Sequence, residues 1–151
     1  IGREIAQKYP EIEFEDLIVD NMAMQMVMRP QRFDIIVTTN LFGDILSDLA
    51  SGLVGGLGVT GAANIGDDAA IFEAVHGSAP DIAGQNLANP IALLSSAMMM
   101  LDYLEEKKVM NRIRSALYTV LQDKKELCTP DIGGEGNTTT FTQALCSELA
   151  E

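Results

Sequence analysis

Hydrophobic positions along the chain fall into short apolar runs and longer stretches with helical periodicity. The runs at 12–19 and 33–39 are rich in β-branched residues and predict strands, and a third short strand is predicted over 69–75. The contiguous apolar residues of 33–39 are typical of a strand covered on both faces. Apolar spacing and helix-starting residues predict helices over 21–28, 42–53, 89–106, 109–121 and 138–150. This order of elements indicates an α/β fold.

Two segments rich in glycine or small polar residues interrupt this pattern. Six glycines fall within the fifteen residues 52–66, and we expect a hinge or domain boundary there, near Gly55. The second segment, 76–88, predicts a loop after the third strand. The chain also begins without methionine, inside a predicted helix, so we expect a fragment of a longer protein.

Four methionines occupy alternate positions from Met22 to Met28. Alternation alone would fit a strand, but methionine and alanine favour a helix, which Pro30 would end. Flexible methionine side chains are typical of an adaptable buried surface. The other interpretation is a helix packed against a second subunit.

Composition excludes several classes of partner. The 151 residues carry 10 Lys and Arg against 22 Asp and Glu, a net charge of −12, which argues against binding nucleic acid or an anionic membrane surface. No apolar run reaches the roughly 18–20 residues that span a bilayer. Two cysteines without metal-ligand spacing favour a reducing compartment. Bacterial cytoplasm is the expected location, with the mitochondrial matrix as the alternative.

Two aspartates are candidates for metal binding. Asp44 and Asp48 lie four residues apart on a predicted helix, so their carboxylates emerge on the same face and repel each other. No lysine or arginine occurs between Arg32 and Lys107, and Mg²⁺ or Mn²⁺ would neutralise the pair, because these ions prefer hard oxygen ligands. Asp20, at the end of the first predicted strand, is a candidate third ligand. The alternative is a solvated acidic helix face.

The single histidine, His76, lies at the start of the 76–88 loop. A strand that runs into a glycine-containing loop is where α/β proteins hold ligands. Backbone N–H groups around Gly77 and Ala79 would suit a phosphate, and Asp81 would suit a ribose diol while repelling a 2′-phosphate. The alternative is a surface loop with a solvated aspartate. The sequence has neither a GxGxxG fingerprint after a strand nor a phosphate-binding-loop lysine after its glycines.

Two long motifs resemble one family of enzymes. The chain carries NLFGDILSD at 40–48 and GGLG at 55–58, which together resemble the signature of the metal-dependent decarboxylating β-hydroxyacid dehydrogenases. This family includes isocitrate, homoisocitrate, 3-isopropylmalate and tartrate dehydrogenases. The chain also carries HGSAPDIAG at 76–84 and ANP at 88–90, which resemble the family's cofactor loop.

The resemblance implies an α/β, isocitrate/isopropylmalate dehydrogenase-like fold, of which this chain is the C-terminal half. Residues 1–54 would belong to the small, dimer-forming and metal-binding domain. Residues 55–151 would form the C-terminal part of the large, nucleotide-binding domain. A homodimer or hetero-oligomer is implied, with each site shared between subunits.

The resemblance also implies which residues bind the metal and the cofactor. Asp44 and Asp48 match the family's ligands for Mg²⁺ or Mn²⁺, and Asp20 matches an aspartate that reaches the metal from the neighbouring subunit. The residues that match NAD-binding positions are Glu73, His76, Gly77, Ala79, Pro80, Asp81, Ile82 and Asn89. The Asp81-Ile82 pair is found in NAD-using members, whereas NADP users carry lysine and tyrosine there. No catalytic residue besides the metal ligands is expected in this chain, since the family's arginines, tyrosine and lysine lie in earlier segments.

The expected reaction is the NAD-dependent oxidative decarboxylation of a 2-hydroxy di- or tricarboxylic acid, with isocitrate to 2-oxoglutarate preferred. The stretches 51–59 and 63–66, and DIGG at 131–134, resemble isocitrate or homoisocitrate enzymes. Gly61 departs from relatives, which often carry proline there, and we expect it to loosen that turn. The alternatives are a homoisocitrate or 3-isopropylmalate dehydrogenase, a non-catalytic regulatory subunit, and a dimerisation fragment without a ligand. The chain alone is expected to be inactive.

Overall fold

The structure is a computed structural model that describes residues 1–150. The α-helices are α1 (Gly2–Ala6), α2 (Val19–Met28), α3 (Asn40–Leu53), α4 (Ile91–Tyr103), α5 (Lys107–Asp123) and α6 (Thr138–Ala150). The strands are β1 (Gly61–Ile65) and β2 (Ala70–Ala74), and 3₁₀ turns occupy Pro30–Arg32, Leu57–Val59, Lys125–Leu127 and Pro130–Ile132. Within residues 1–150, no helix combines the length and apolar character needed to cross a bilayer.

The chain divides into two compact units, residues 1–50 and the part from Ser51 onward. The predicted boundary near Gly55 lies a few residues beyond this division. The assignment of the two parts to a dimer-forming and a nucleotide-binding domain stays a prediction.

The first unit has a small core built from α2 and α3. Met22 and Met26 are buried against Leu46, so the interpretation of these methionines as a buried surface is confirmed for two of the four. Met24 and Met28 alternate with them on α2 and are exposed. The interpretation as a subunit interface therefore stays a prediction for the outer side of this helix.

The strands predicted over 12–19 and 33–39 are wrong for the isolated chain. Within residues 1–150 the only paired strands are β1 and β2. Both predicted segments lack regular structure, apart from Val19, where α2 begins. Ile35 and Val37 are 85% and 92% exposed. A strand needs a neighbour to satisfy its backbone N–H and C=O groups, and no described segment supplies one here.

The second unit is built on a β-hairpin and three helices. β1 and β2 pair antiparallel, with Gly61 opposite Ala74 and Ile65 opposite Ala70, so the predicted third strand is confirmed. Helix α4 packs on both strands and on α5, which in turn packs on α6. The core of this unit consists of Ile91, Ala116, Leu117, Val120, Cys128, Phe141, Ala144 and Leu145. All three predicted helices of this unit are confirmed, although α4 ends at Tyr103, three residues early.

The glycine-rich segment contains a strand that periodicity did not reveal. Gly55 and Gly56 have φ values of +120° and +102°, which favour glycine, so the predicted interruption of regular structure is found there. Gly61, however, lies in β1 rather than in a turn, and a Cβ on it would lie 2.7 Å from the backbone nitrogen of Ser96 on α4. The expectation that Gly61 loosens a turn is therefore wrong, because this glycine permits close packing of the hairpin on α4.

Candidate metal and dinucleotide site

Helix α3 presents the two predicted metal ligands. Asp44 and Asp48 are both exposed, one helical turn apart, on a helix whose opposite side buries Leu46. The side-chain amide of Asn40 lies 3.4 Å from Asp44 Oδ2, and the hydroxyl of Ser47 donates to the backbone carbonyl of Asp44 at 3.1 Å. The two carboxylates are thus exposed on one helix surface.

Asp20 occupies a different position from the one predicted. It lies in the first turn of α2, not at the end of a strand, because the helix already begins at Val19. The N–H of Asn21 donates to its Oδ1 at 2.6 Å. Its carboxylate therefore lies where the partial positive charge of a helix N-terminus favours an anion.

The three aspartates do not form one cluster on a single chain. Among residues 1–150, no group of three or more His, Cys, Asp or Glu side chains is arranged to hold a metal ion. The ion pairs found in the same residues, such as Arg32 with Glu15, involve none of these aspartates. Asp44 and Asp48 fit a divalent cation that takes its other ligands from elsewhere, and the chemistry of the donors suits Mg²⁺ or Mn²⁺.

The predicted cofactor residues follow one another from β2 through a loop to α4. The predicted loop at 76–88 is confirmed. Ile82 and Asn89 are half-buried and the other predicted cofactor residues are exposed, which leaves all of them accessible. These are Glu73, His76, Gly77, Ala79, Pro80, Asp81, Ile82 and Asn89. Because β2 packs directly on α4, the two ends of this segment are held against each other.

The loop offers backbone and carboxylate groups to a ligand. Ala79 has a φ of +39°, and within residues 1–150 no hydrogen bond occupies the N–H of Gly77 or Ala79. Asp81 is exposed, and its backbone carbonyl accepts the side-chain amide of Gln85 at 2.6 Å, which closes a turn. His76 Nδ1 lies 3.0 Å from the carbonyl of Gly77. These groups match the chemistry of a phosphate and a ribose diol.

Side chains outside the motifs support this segment, and sequence reasoning missed them. Asn64 on β1 donates to Glu73 Oε1 at 3.0 Å across the hairpin. Asn89 Nδ2 donates to Asp131 Oδ2 at 2.9 Å. Asn64 and Asp131 both lie in stretches that resemble isocitrate enzymes, which was the only signal in the sequence for either contact.

Comparison with known proteins identifies the family. The model of the isocitrate/isopropylmalate dehydrogenase family matches residues 1–149. The chain belongs to this family. The resemblance inferred from the 40–48 and 76–84 motifs is therefore confirmed, as is the isocitrate/isopropylmalate dehydrogenase-like fold, of which the chain represents a part.

Similar family members carry the names of several dehydrogenases. The isocitrate/homoisocitrate dehydrogenase of Thermus thermophilus is 57% identical over 97% of this chain and 43% of its own length. The mitochondrial NAD isocitrate dehydrogenase catalytic subunit 5 of Arabidopsis thaliana is 53% identical over 97% of this chain and 39% of its own length. The NADP isocitrate dehydrogenase of Thermus thermophilus is 51% identical over 98% of this chain and 30% of its own length. The family is thus shown, while the names differ in substrate and cofactor.

A solved structure agrees with the fold of this family member. The crystal structure of isocitrate dehydrogenase from Methylococcus capsulatus matches with a TM-score of 0.89 and 54% identity, over 99% of this chain and 44% of that chain. The chain spans less than half the length of each of these relatives.

Proposed function

We propose that this chain forms the metal- and nucleotide-binding part of an NAD- and Mg²⁺- or Mn²⁺-dependent isocitrate dehydrogenase that yields 2-oxoglutarate. The observation that carries the proposal is the pair Asp44 and Asp48 on one exposed face of α3, within a chain that belongs to the family. The rest of the active site would come from other segments and from a second subunit. The proposed location is the one expected from the sequence, the bacterial cytoplasm or, alternatively, the mitochondrial matrix.

The metal ligands in this proposal are Asp44 and Asp48 of one subunit and Asp20 of its neighbour. A divalent cation bound by them would lower the pKa of a coordinated substrate hydroxyl and so favour hydride loss. The proposal takes Asp20 from the neighbouring subunit, since within residues 1–150 no three such side chains are arranged to hold a metal ion. The exposed side of α2, with Met24 and Met28, supplies apolar surface for such an interface.

The NAD assignment rests on the loop between β2 and α4. Asp81 would accept hydrogen bonds from the adenosine ribose and would repel the 2′-phosphate of NADP. The free N–H groups of Gly77 and Ala79 would donate to phosphate oxygens. The high identity to a catalytic subunit named for NAD supports the same assignment.

The second candidate substrate is homoisocitrate. It is favoured by the 57% identity to an enzyme named isocitrate/homoisocitrate dehydrogenase. The two substrates carry the same hydroxyl and carboxylates at the reacting carbons and differ by one methylene. One methylene changes binding by only about 1–3 kcal/mol, so both substrates are compatible with the same metal and cofactor residues.

The test is turnover by the full-length gene product that contains these 151 residues. Reduction of NAD⁺ or NADP⁺ is followed with isocitrate, homoisocitrate or 3-isopropylmalate, with Mn²⁺ present or removed by EDTA. The proposal expects the highest kcat/KM with isocitrate and NAD⁺, and loss of activity in EDTA. A higher kcat/KM with homoisocitrate would replace the substrate assignment, whereas nucleotide binding without turnover of any of the three would indicate a regulatory subunit.

A further inference from the structure

The side-chain amide of Asn89 is engaged at both ends. Its Oδ1 accepts the backbone N–H of Ile91 at 2.9 Å, at the start of α4. Its Nδ2 donates to Asp131 Oδ2 at 2.9 Å, across 42 residues of sequence. An amide that both accepts and donates in this way has a defined orientation, and it keeps one further N–H on Nδ2 for another acceptor.

The orientation depends on the carboxylate of Asp131. If the amide turned over, its oxygen would face the carboxylate oxygen and its NH₂ group would face the N–H of Ile91. One contact would then bring two acceptors together and the other would bring two donors together. The observed orientation of the amide is therefore strongly preferred. A charged acceptor also makes the hydrogen bond from Nδ2 stronger than a neutral acceptor would.

The turn that carries Asp131 is anchored in the core. It begins after Thr129, which is fully buried, and the N–H of Gly134 returns to the carbonyl of Thr129 at 3.1 Å. Gly133 has a φ of +80°, which lets the chain reverse there. The carboxylate is therefore presented to Asn89 from a fixed position.

Gly58 leaves the space that this pair requires. A Cβ at position 58 would lie 3.3 Å from Asp131 Oδ2 and 3.8 Å from Asn89 Cβ. Any larger side chain would press on the carboxylate. Packing against Asn89 and Asp131 thus explains why the last residue of the GGLG motif is a glycine.

We propose that Asp131 is a positioning residue of the dinucleotide site, which fixes the Asn89 amide so that its remaining N–H is available to the adenosine moiety. This inference rests on the proposed function and on the resemblance, in which Asn89 matches a position that contacts the adenosine half of the dinucleotide. Asp131 itself does not need to touch the cofactor. Its effect on cofactor affinity passes through Asn89, so it should vanish when the Asn89 amide is absent.

The test is a double-mutant cycle in the full-length gene product. Asn89→Ala, Asp131→Ala and the double variant are compared for NAD⁺ dissociation constant, NAD⁺ KM, isocitrate KM and kcat. Asp131→Ala should raise the Kd and KM for NAD⁺ by roughly fivefold, the size expected for one hydrogen bond, without changing kcat or the isocitrate KM. In the Asn89→Ala background, the same substitution should have no further effect.

Two more variants separate positioning from general effects. Asp131→Asn keeps an oxygen acceptor and should restore NAD⁺ affinity to within about twofold of the wild type. Asp123→Ala removes an exposed carboxylate at the end of α5 and should change neither the Kd nor the KM for NAD⁺. Thermal melting checks each fold, and Asp131→Ser replaces the alanine variant if that variant does not fold.

Several results would overturn the inference. These are additive effects of the two alanine substitutions, a loss of kcat with unchanged NAD⁺ affinity, or an Asp131→Asn variant as weak as Asp131→Ala. If the wild type binds NAD⁺ and Asp131→Ala binds it equally well, the inference alone fails. If the wild type binds no dinucleotide, the proposed function fails with it.

Discussion

The hydroxyl of Ser96 on α4 donates a hydrogen bond to the backbone carbonyl of Glu73 on β2 across 2.5 Å. The same oxygen accepts the N–H of Ala62 on β1 at 3.3 Å, so one buried side chain connects both strands to the helix. Gly61 allows this approach, since no side chain separates β1 from Ser96. Because β2 leads into the candidate cofactor loop and α4 follows it, this contact fixes the two ends of the loop relative to each other.

Removing the Ser96 hydroxyl should destabilise the second unit. In Ser96→Ala the partly buried carbonyl of Glu73 and N–H of Ala62 lose a shared partner, which costs about 1–3 kcal/mol. Urea denaturation measures the free energy of unfolding. Ser95→Ala, on the same helix and only half-buried, is the matched control and should change it by less than about 0.5 kcal/mol. Equal effects of the two variants would contradict the role of Ser96.

Two glycines should respond to alanine in opposite directions. A Cβ at Gly134 would lie 2.1 Å from the backbone carbonyl oxygen of Cys128, so Gly134→Ala forces backbone movement and should cost about 1–3 kcal/mol or more. A Cβ at Gly52 meets no atom within 4 Å, and Gly52 lies in α3. Gly52→Ala should leave stability unchanged or raise it by up to about 1 kcal/mol. Thermal and urea unfolding measure both effects. A destabilised Gly52→Ala variant would show that α3 does not accept a Cβ at position 52 despite the open space around it.

Secondary structure was predictable from the sequence where it depends on residues close together along the chain. Apolar spacing identified the helices within a few residues, and the glycine and proline content of 76–88 identified the loop. The pattern at 33–39 describes a strand that prefers burial, but the pairing partner is not encoded in the run itself. No described segment pairs with it, and the run lacks regular structure and is exposed from Asp34 to Thr39.

Contacts between distant residues could not be predicted from spacing. Nothing in the turn at 131–134 indicates that Asp131 meets Asn89, because the contact depends on how α5 and α6 return the chain to the start of α4. The motif at 40–48 behaved differently, since Asp44 and Asp48 lie on one helix and their spacing alone places them on one face. The candidate metal ligands of α3 were thus predictable, and the support of the cofactor loop was not.

Neutralising either aspartate of α3 should weaken metal binding. Asp44→Asn and Asp48→Asn keep the side-chain size but remove a charged oxygen ligand, so the affinity of the full-length protein for Mn²⁺ should fall by about 100-fold or more. Turnover should fall with it. Calorimetric titration with Mn²⁺ measures the affinity, and Asp67→Asn, which changes an exposed aspartate in the turn between β1 and β2, is the control. Unchanged Mn²⁺ affinity in the α3 variants would remove both aspartates from the metal site.

Reversing the charge of the cofactor loop should change cofactor preference. Asp81→Lys combined with Ile82→Tyr replaces a carboxylate that repels a 2′-phosphate with an ammonium group that attracts it. The ratio of kcat/KM for NADP⁺ to that for NAD⁺ should rise by about tenfold or more. Asp67→Lys makes the same charge change outside the loop and should leave the ratio unaltered. If the double variant still preferred NAD⁺, Asp81 would not be the residue that binds the ribose.

The two cysteines should differ in reactivity and in their effect on pH-dependent stability. Cys128 is fully buried, and burial, with a further contribution from the Glu126 carboxylate, raises the pKa of its thiol. The folded protein therefore keeps Cys128 protonated at a pH where the unfolded chain, with a thiol pKa of about 8.5, already loses the proton. Folding stability from this group is complete below the unfolded pKa and is lost as pH rises towards the folded pKa.

This difference can be measured with two variants. The free energy of unfolding should fall more steeply between about pH 8 and 10 in the wild type than in Cys128→Ala, because the variant lacks the thiol that titrates only in the unfolded state. Cys146→Ala, which changes an exposed thiol, should keep the wild-type slope. A thiol reagent at pH 8 should modify Cys146 rapidly and Cys128 only on unfolding, since thiolate formation and access are both suppressed at Cys128. Rapid labelling of both cysteines in the folded protein would show that the helix-packed core around Val120 and Phe141 opens readily.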